Sequence, residues 1–127
     1  MRFMLMTKPG TETAVPPSPE LMAAIGNLTQ EMKQAGKLID TGGLQPIASG
    51  ARLQLSGGKV TVTDGPFAEA KEVIGGYAIV KVDSREEAIE LARRFLEIHA
   101  RILGPSFELG SEVRQMYEPG DFAPPQR

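Results

Sequence analysis

The residues best suited to chemistry are concentrated in one short segment, which reads Asp64-Gly65-Pro66-Phe67-Ala68-Glu69-Ala70-Lys71-Glu72. The carboxylate of Asp64 can serve as a general base or accept a hydrogen bond from a ligand, although Asp before Gly most often caps backbone N–H groups of a turn. Pro66 has a fixed φ and holds Gly65 extended, so Phe67 either walls a pocket or joins the core. We predict that this constrained corner marks the functional site.

Charged side chains beside the corner add a second interpretation, in which the site binds an anion. Lys71, next to Glu72, can anchor an anionic substrate, whereas a solvated and partly self-neutralised loop accounts for the same charges. Arg52 and Arg114 fall on predicted strands, where each can enter a cleft or face water. The predicted ligand-binding residues are Gly65, Pro66, Phe67, Lys71, Glu72, Asp40, Arg52 and Arg114.

The single histidine, His99, is the other candidate proton-transfer group. On a helical wheel it falls in the apolar arc between Phe95 and Ile102, where an imidazole is either a hydrogen-bonded structural group or a titrating group at a cavity wall. The structural role is the commoner one. A hydrogen bond to Asp40 or Asp64 would instead create an acid/base pair. The predicted catalytic residues are therefore Asp64 and His99.

Composition limits the function classes. A chain of 127 residues with 41% apolar residues fits one globular domain, residues 1–127. The net charge of -2 leaves no basic stripe for direct nucleic-acid binding. With one histidine, no cysteine and no dinucleotide fingerprint, we expect neither a metal nor a cofactor. The apolar stretches are too short for a membrane span or a signal peptide, which predicts a soluble, cytoplasmic protein.

The elements that must position these groups begin with a strand and a helix. Residues 2–7 carry apolar side chains on both faces, as expected of a buried strand. Ser18 followed by a proline and an acid predicts a helix start, and apolar residues at three- and four-residue intervals carry the helix to about Ala35. A strand over residues 37–41 then leads into a turn over residues 42–46, which is rich in glycine and proline.

The middle of the chain is predicted to be a β hairpin followed by a central strand. Residues 51–55 and 59–63 are short β segments, and the Ser-Gly-Gly between them is a hairpin turn. The hairpin delivers the chain to Asp64. Residues 77–82 are rich in β-branched and aromatic side chains, which predicts the most central strand of the sheet.

The last part of the chain is predicted to be a long helix, a strand and a tail. Ser84 with Glu87 three residues on has the spacing of a capping box, and the helix is expected to end at about Leu103. A β region follows over residues 107–117, with an interruption near Gly110. Residues 118–127 are rich in proline and glycine and are predicted to be loosely held.

This order of elements predicts the α+β class, as a ferredoxin-like sandwich. Its sheet is antiparallel or mixed, and both helices cover one face because each has a single apolar face. The other face would retain apolar side chains from Met4, Met6, Ala78, Val80 and Val82. We predict that a second copy of the chain covers that face as a homodimer, and the alternative is that residues 8–17 and the tail fold over it.

The segment from Asp64 to Glu72, together with Gly75-Gly76-Tyr77 and Glu112-Val113-Arg114, resembles the DGPF-motif branch of the YCII-related family. The resemblance implies a dimeric α+β barrel-type assembly of ferredoxin-like chains, in a group largely without assigned activity. YCII-like proteins use a His and Asp pair in a cleft, and the resemblance places Ile25 at the position of that histidine. Ala70 stands where the branch often has Thr.

Two functions are consistent with these residues. One is a small enzyme that performs acid/base chemistry on a small polar or anionic molecule through Asp64 and His99. The other is a non-catalytic, regulatory dimer that binds a small-molecule metabolite or a protein partner. A pocket in which titratable groups converge would favour the enzyme, and a pocket walled by Phe67 and Tyr77 without such groups would favour the binding protein.

Overall fold

A computed structural model describes residues 1–9, 18–65 and 74–121 of the chain. The elements are β1 (Arg2–Pro9), α1 (Pro19–Gln34), β2 (Leu38–Gly43), a short 3-10 turn (Ile47–Ser49), β3 (Ala51–Ser56), β4 (Lys59–Asp64), β5 (Gly76–Lys81), α2 (Arg85–Leu103) and β6 (Leu109–Gln115). Four strands form one antiparallel sheet in the order β2-β5-β1-β6, and β3 and β4 form a separate two-stranded sheet. The predicted α+β class is confirmed.

Both helices pack on one face of the four-stranded sheet and close the hydrophobic core. Phe3 lies opposite Val80 in the register of β1 and β5, and Leu5 lies opposite Ala78, so these side chains share the helix-covered face. The buried core consists of Phe3, Leu5, Leu28, Met32, Val80, Val82, Ala88, Leu91 and Ala92. Burial of each large apolar side chain stabilises the fold by about 1.5–3 kcal/mol.

Neither described helix packs on the opposite face of the sheet, which is called the open face below. Met4 lies opposite Ile79, and Met6 lies opposite Tyr77. The prediction that Ala78, Val80 and Val82 contribute to the uncovered face is wrong. The register turns Ala78 and Val80 toward the helices, and Val82 is buried in the core. Met4 and Met6 are on the open face as predicted, but Met6 is buried there, with 8% of its surface exposed.

The two helices begin where their side-chain caps predict. Ser18 Oγ accepts a hydrogen bond from the N–H of Leu21 at 3.2 Å, and Ser84 Oγ accepts one from the N–H of Glu87 at 3.1 Å. Each bond satisfies one of the N–H groups that lack a partner in the first turn of a helix. The Glu87 carboxylate accepts from the N–H of Asp83 at 3.1 Å, one residue earlier than in the predicted capping box.

The predicted hairpin forms between β3 and β4. Gly57 and Gly58 have φ of 58° and 77°, as a two-residue turn with left-handed central residues requires. Ala51 lies opposite Asp64 at the base, where the Gly65 N–H donates to Gly50 O at 2.8 Å. Every residue of the two strands is exposed.

Two glycine-containing segments, one predicted to be a turn and the other an interruption of a strand, are instead part of strands. Gly42 and Gly43 belong to β2 and pair with β5, because the absence of a side chain at Gly42 makes room for the Tyr77 ring. Gly110 and Ser111 lie within a continuous β6 and pair with β1. Residues 118–121 form a turn, and residues 122–127 of the predicted loose tail lie outside the described residues.

Candidate functional site

The constrained corner begins at the base of the hairpin. Asp64 ends β4 with an exposed side chain, and its carboxylate has no hydrogen-bond partner among the described residues. A Cβ on Gly65 would lie only 1.9 Å from the carbonyl oxygen of Ile47, so close backbone approach requires glycine there. Pro66, Phe67, Lys71 and Glu72 lie outside the described residues, and their predicted roles stay predictions.

The two predicted anion-binding arginines lie on different sheets. Arg52 is on β3, opposite Thr63. Its side chain is therefore on the opposite face of the hairpin from those of Ala51 and its cross-strand partner Asp64. Arg114 is on β6 at the open face and forms an ion pair with Glu112. Lys8 contacts the same carboxylate at 3.0 Å, and its hydrogen bond, with the charge of Arg114, lowers the pKa of Glu112.

Asp40 and Tyr77 form a hydrogen-bonded pair between β2 and β5. The Tyr77 hydroxyl donates to Asp40 Oδ2 at 3.2 Å, and Asp40 Oδ1 accepts from the Thr41 N–H at 2.9 Å. The hydrogen bond to Asp40, together with its negative charge, raises the pKa of Tyr77 above its ordinary value of 10.0. The phenol therefore keeps its proton at neutral pH and is available as a hydrogen-bond donor.

His99 is buried on the inner side of α2, as its position in the sequence predicts. Its Nδ1 lies 2.8 Å from the carbonyl oxygen of Phe95, and because a carbonyl only accepts, Nδ1 carries the proton of that bond. The ring also lies against two aromatic rings, with centroid distances of 4.6 Å to Phe95 and 6.0 Å to Phe107. The hydrogen bonds of the described residues join none of Asp40, Asp64 and His99 to one another.

A cavity of about 440 Å³ lies between the helices and the sheet. Its apolar walls include Leu5, Met22, Ile25, Leu28, Ala78 and Phe95, and its polar side chains include Thr7, Thr29, Thr41 and Ser111. Across residues 1–9, 18–65 and 74–121, no carboxylate, imidazole, ammonium or guanidinium group lines this space. Its volume is in the range that holds small organic molecules.

Some hydroxyl groups of the cavity already donate a hydrogen bond within the protein, and others are available to a ligand. Thr29 Oγ1 donates to the carbonyl oxygen of Ile25 and Thr41 Oγ1 donates to that of Tyr77, each at 2.9 Å. Thr7 and Ser111 lie opposite each other in the β1–β6 register. Their hydroxyls form no hydrogen bond to another described residue and can bind a polar group of a ligand.

The far end of the predicted motif region also reaches this cavity. Gly75 donates its N–H to Thr7 O at 2.8 Å and accepts at its own carbonyl from the N–H of Leu44 at 2.9 Å. Gly75 and Gly76 line the cavity, so the segment that starts at Gly65 ends beside it. Side-chain atoms of Pro9 would lie 2.8 Å from a Cβ on Gly75, which leaves no room for a side chain.

Sequence reasoning missed the cavity residues, because they come from four strands and both helices. One signal was available in retrospect. Thr7, Thr41 and Ser111 are polar residues at positions that the sheet register turns toward the helices. Among the described residues there is no group of three or more metal-ligating side chains, and neither described helix has the length and hydropathy needed to cross a bilayer.

The fold and the cavity define a small α+β protein with a ligand-sized space under its two helices. A family model for the YCII-related domain matches residues 1–100, and the chain belongs to the YCII-related family. It is also similar to an uncharacterised protein of Rhizobium meliloti (strain 1021), with 36% identity over 73 residues. That match covers 58% of this chain and 59% of the relative, less than two thirds of its length.

Proposed function

We propose that this protein is a binding protein for a small, largely uncharged molecule, which occupies the cavity between the helices and the sheet. The observation that carries the proposal is the composition of the cavity wall, which combines apolar side chains with hydroxyl groups and, over the described residues, no charged group. An apolar pocket with a few oriented polar groups is typical of small-molecule sites. Thr7 and Ser111 would orient the polar end of the ligand.

The residue at one position of the wall supports binding over acid/base catalysis. We place the chain in the DGPF-motif branch, and the resemblance puts Ile25 where YCII-like proteins carry the histidine of their proposed His and Asp pair. Ile25 lines the cavity, and an aliphatic side chain cannot transfer a proton. His99 does not replace it, because His99 is not among the described residues that line the cavity.

The alternative function is acid/base chemistry on a small polar or anionic molecule. It is favoured by one observation, the exposed Asp64 carboxylate, which has no hydrogen-bond partner among the described residues. A charged Asp64 would have to act together with groups of the following segment, such as Lys71. An Asp64→Asn variant with unchanged turnover in a substrate screen would remove this alternative.

We also propose that the protein is a homodimer in which a second copy covers the open face. Met4, Tyr77 and Ile79 are partly exposed on that face, on which neither of the two described helices packs. Burial of this surface against another chain would add hydrophobic stabilisation that a monomer lacks. The cavity lies on the opposite side of the sheet, so ligand binding and self-association are separable.

The test of ligand binding uses N-phenyl-1-naphthylamine, a neutral aromatic probe whose fluorescence rises in apolar surroundings. Ala78→Leu adds a larger side chain to the sheet floor of the cavity, and we expect it to weaken probe binding by about tenfold or more. Ala100→Leu makes the same change at an exposed position of α2 and serves as the matched control. Equal probe affinity in the two folded variants would contradict the proposal, as would absence of binding to the unmodified chain.

A further inference from the structure

One row of residues on the sheet floor of the cavity runs across all four strands. Thr7 on β1 lies opposite Gly76 on β5 and, on its other side, opposite Ser111 on β6. Gly76 in turn lies opposite Gly43 on the edge strand β2. All four residues line the cavity and are called the floor row below. The floor row therefore has two hydroxyl groups at one end and two residues without side chains at the other.

The two hydroxyl groups of the floor row are close enough to bind one atom together. The N–H of Met116 donates to Arg2 O at 2.8 Å, and hydrogen-bonded pairs recur at every second residue of the β1–β6 ladder. Thr7 is five residues after Arg2, so Thr7 and Ser111 form a non-hydrogen-bonded pair, in which the Cα atoms are about 4.5 Å apart and the side chains approach closely. Neither hydroxyl is bonded to another described residue, so both are available to a ligand.

The glycine end of the floor row leaves room for a flat group. Neighbouring strands are about 4.8 Å apart, so the floor over β5 and β2 extends about 10 Å from Thr7 to the edge of the sheet. A Cβ on Gly43 would meet no atom within 4 Å, so the space above this residue is open. The next helix-facing residue of β5 is Ala78, whose side chain is also short. A floor of this shape fits a planar ring system.

The surroundings of the floor row indicate a neutral ligand. Apolar side chains of both helices, including Ile25 and Phe95, form the opposite wall, and across the described residues no charged side chain lines the space. A carboxylate or ammonium group would lose its hydration there without gaining a partner of opposite charge, which is unfavourable. The hydrogen-bonding group of the ligand is therefore uncharged, and the rest of the ligand is apolar.

We infer that the cavity binds a neutral, planar ring compound that carries a carbonyl group, and that the carbonyl oxygen accepts hydrogen bonds from Thr7 and Ser111 together. This inference rests on the proposed binding function and specifies the class of ligand. A carbonyl oxygen has two lone pairs and no proton, so it can use both hydroxyls as donors at once. The ring then lies over Gly76 and Gly43, where larger floor residues would occupy its place.

Calorimetric titration with 2-acetylnaphthalene tests the hydrogen bonds, because this ketone is neutral, planar and free of other polar groups. Its isostere 2-isopropenylnaphthalene has a CH2 group in place of the carbonyl oxygen and is the control ligand. The double variant Thr7→Val with Ser111→Ala removes both hydroxyls with little change of shape, and Ser111→Ala alone replaces it if the double variant does not fold. Thr61→Val, on the hairpin strand β4, is the matched control variant.

We expect the double variant to bind the ketone about tenfold more weakly than the unmodified chain does, because two hydrogen bonds are lost. Its affinity for the alkene should not fall, and the Thr61→Val chain should bind both compounds as the unmodified chain does. The carbonyl stretching frequency of the bound ketone should be lower in the unmodified chain than in the double variant. Equal losses of affinity for the ketone and the alkene would overturn the inference, because they would mean that the two hydroxyls do not bind the carbonyl oxygen.

A second variant, Gly43→Ala, tests the glycine end of the floor row, because its added methyl group would stand in the space assigned to the ring. We expect it to lower the ketone affinity about fivefold. Gly26→Ala, on the exposed side of α1, is the matched control and should leave the affinity unchanged. Unchanged ketone affinity in the Gly43→Ala chain would overturn the position of the ring. Equal or tighter binding of the saturated analogue 2-acetyldecahydronaphthalene would overturn its planarity.

Binding of N-phenyl-1-naphthylamine separates this inference from the proposed function. A chain that binds N-phenyl-1-naphthylamine but not 2-acetylnaphthalene would refute the class of ligand alone, and the binding function would stand. A chain that binds neither compound would refute both.

Discussion

Leu28 on α1 and Leu55 on β3 both belong to regular apolar faces, but the fold buries only Leu28. Leu28 is 6% exposed in the core, whereas Leu55 is 72% exposed on the hairpin. Both belong to elements that were predicted from the sequence. The comparison teaches that periodicity identifies which side chains share a face, but not whether the same chain covers that face.

The same comparison separates two kinds of function. The helix-covered face is closed within the chain and encloses a cavity of about 440 Å³, which suits a small ligand. Within the described residues the apolar face of the hairpin is exposed and the open face is partly exposed, and apolar surface of that kind suits another protein surface. In our proposals, ligand binding belongs to the first region and self-association to the second.

The largest expected difference between the regions is in the cost of removing a leucine. Leu28→Ala should lower the free energy of unfolding by about 3 kcal/mol, because it removes buried contacts and leaves a void. Leu55→Ala should change it by less than about 0.5 kcal/mol in the monomer, because the side chain is in water there. Urea denaturation of both variants at low protein concentration measures the two values.

Protein concentration sharpens this prediction. Repeating both measurements at high protein concentration tests whether self-association buries Leu55, because dimer stability depends on concentration; a larger cost of Leu55→Ala there would show that it does. Leu28→Ala should cost the same at both concentrations. Equal costs for the two substitutions in the monomer would contradict the contrast between the covered and uncovered faces.

A smaller effect is expected at two glycines, one in each region. Gly65→Ala places a Cβ 1.9 Å from Ile47 O, so the backbone at the base of the hairpin must shift, at a cost of about 2 kcal/mol. Gly26→Ala, on the exposed side of α1, meets no atom within 4 Å. It should stabilise the protein by about 0.5–1 kcal/mol, because alanine is the better helix former.

Thermal unfolding of the two variants gives the sign of each change, and hydrogen exchange at residue 65 reports on the bond from its N–H to Gly50 O. Shifts of the same sign in both variants would show that the base of the hairpin is not held by the close contact at Gly65.

The parts of the fold that the sequence predicted well are those decided by local contacts. Both helix starts depend on a serine hydroxyl that binds a backbone N–H three residues later. The hairpin turn depends on two adjacent glycines with positive φ. Gly42 and Gly43 were misread as a turn, because a glycine pair has the same local preferences wherever it lies. The packing of the Tyr77 ring against Gly42 explains why Gly42 is in a strand.

The candidate site was predicted less well, because its geometry depends on strand register. The pairing of Asp40 with Tyr77 joins residues 37 positions apart. Thr7 and Ser111 meet only because the first and last strands are neighbours. No spacing rule within a single element carries such information. The charged residues near Asp64 led to the prediction of a site at that corner. The cavity is instead lined by hydroxyl and apolar groups that belong to no sequence motif.

The smallest predicted effect concerns the titration of Tyr77 on the open face. In a Tyr117→Phe background Tyr77 is the one tyrosine, and its absorbance change should occur above pH 10.0, because Asp40 raises the pKa of Tyr77 in the folded chain. A raised folded-state pKa means that the stability contributed by the pair is present below pH 10.0 and is lost as the pH rises through the pKa of folded Tyr77.

Asp40→Asn removes the charge beside the phenol and should return the pKa of Tyr77 toward its ordinary value, whereas Asp64→Asn, at the base of the hairpin, should leave the titration in place. Identical titration curves for the two variants would contradict the role of Asp40. The curve also reports on the open face. If a second copy covers Tyr77, desolvation disfavours the phenolate, and the titration should move to still higher pH as protein concentration increases. A midpoint that does not change across the monomer–dimer transition would mean that the partner copy leaves Tyr77 in water.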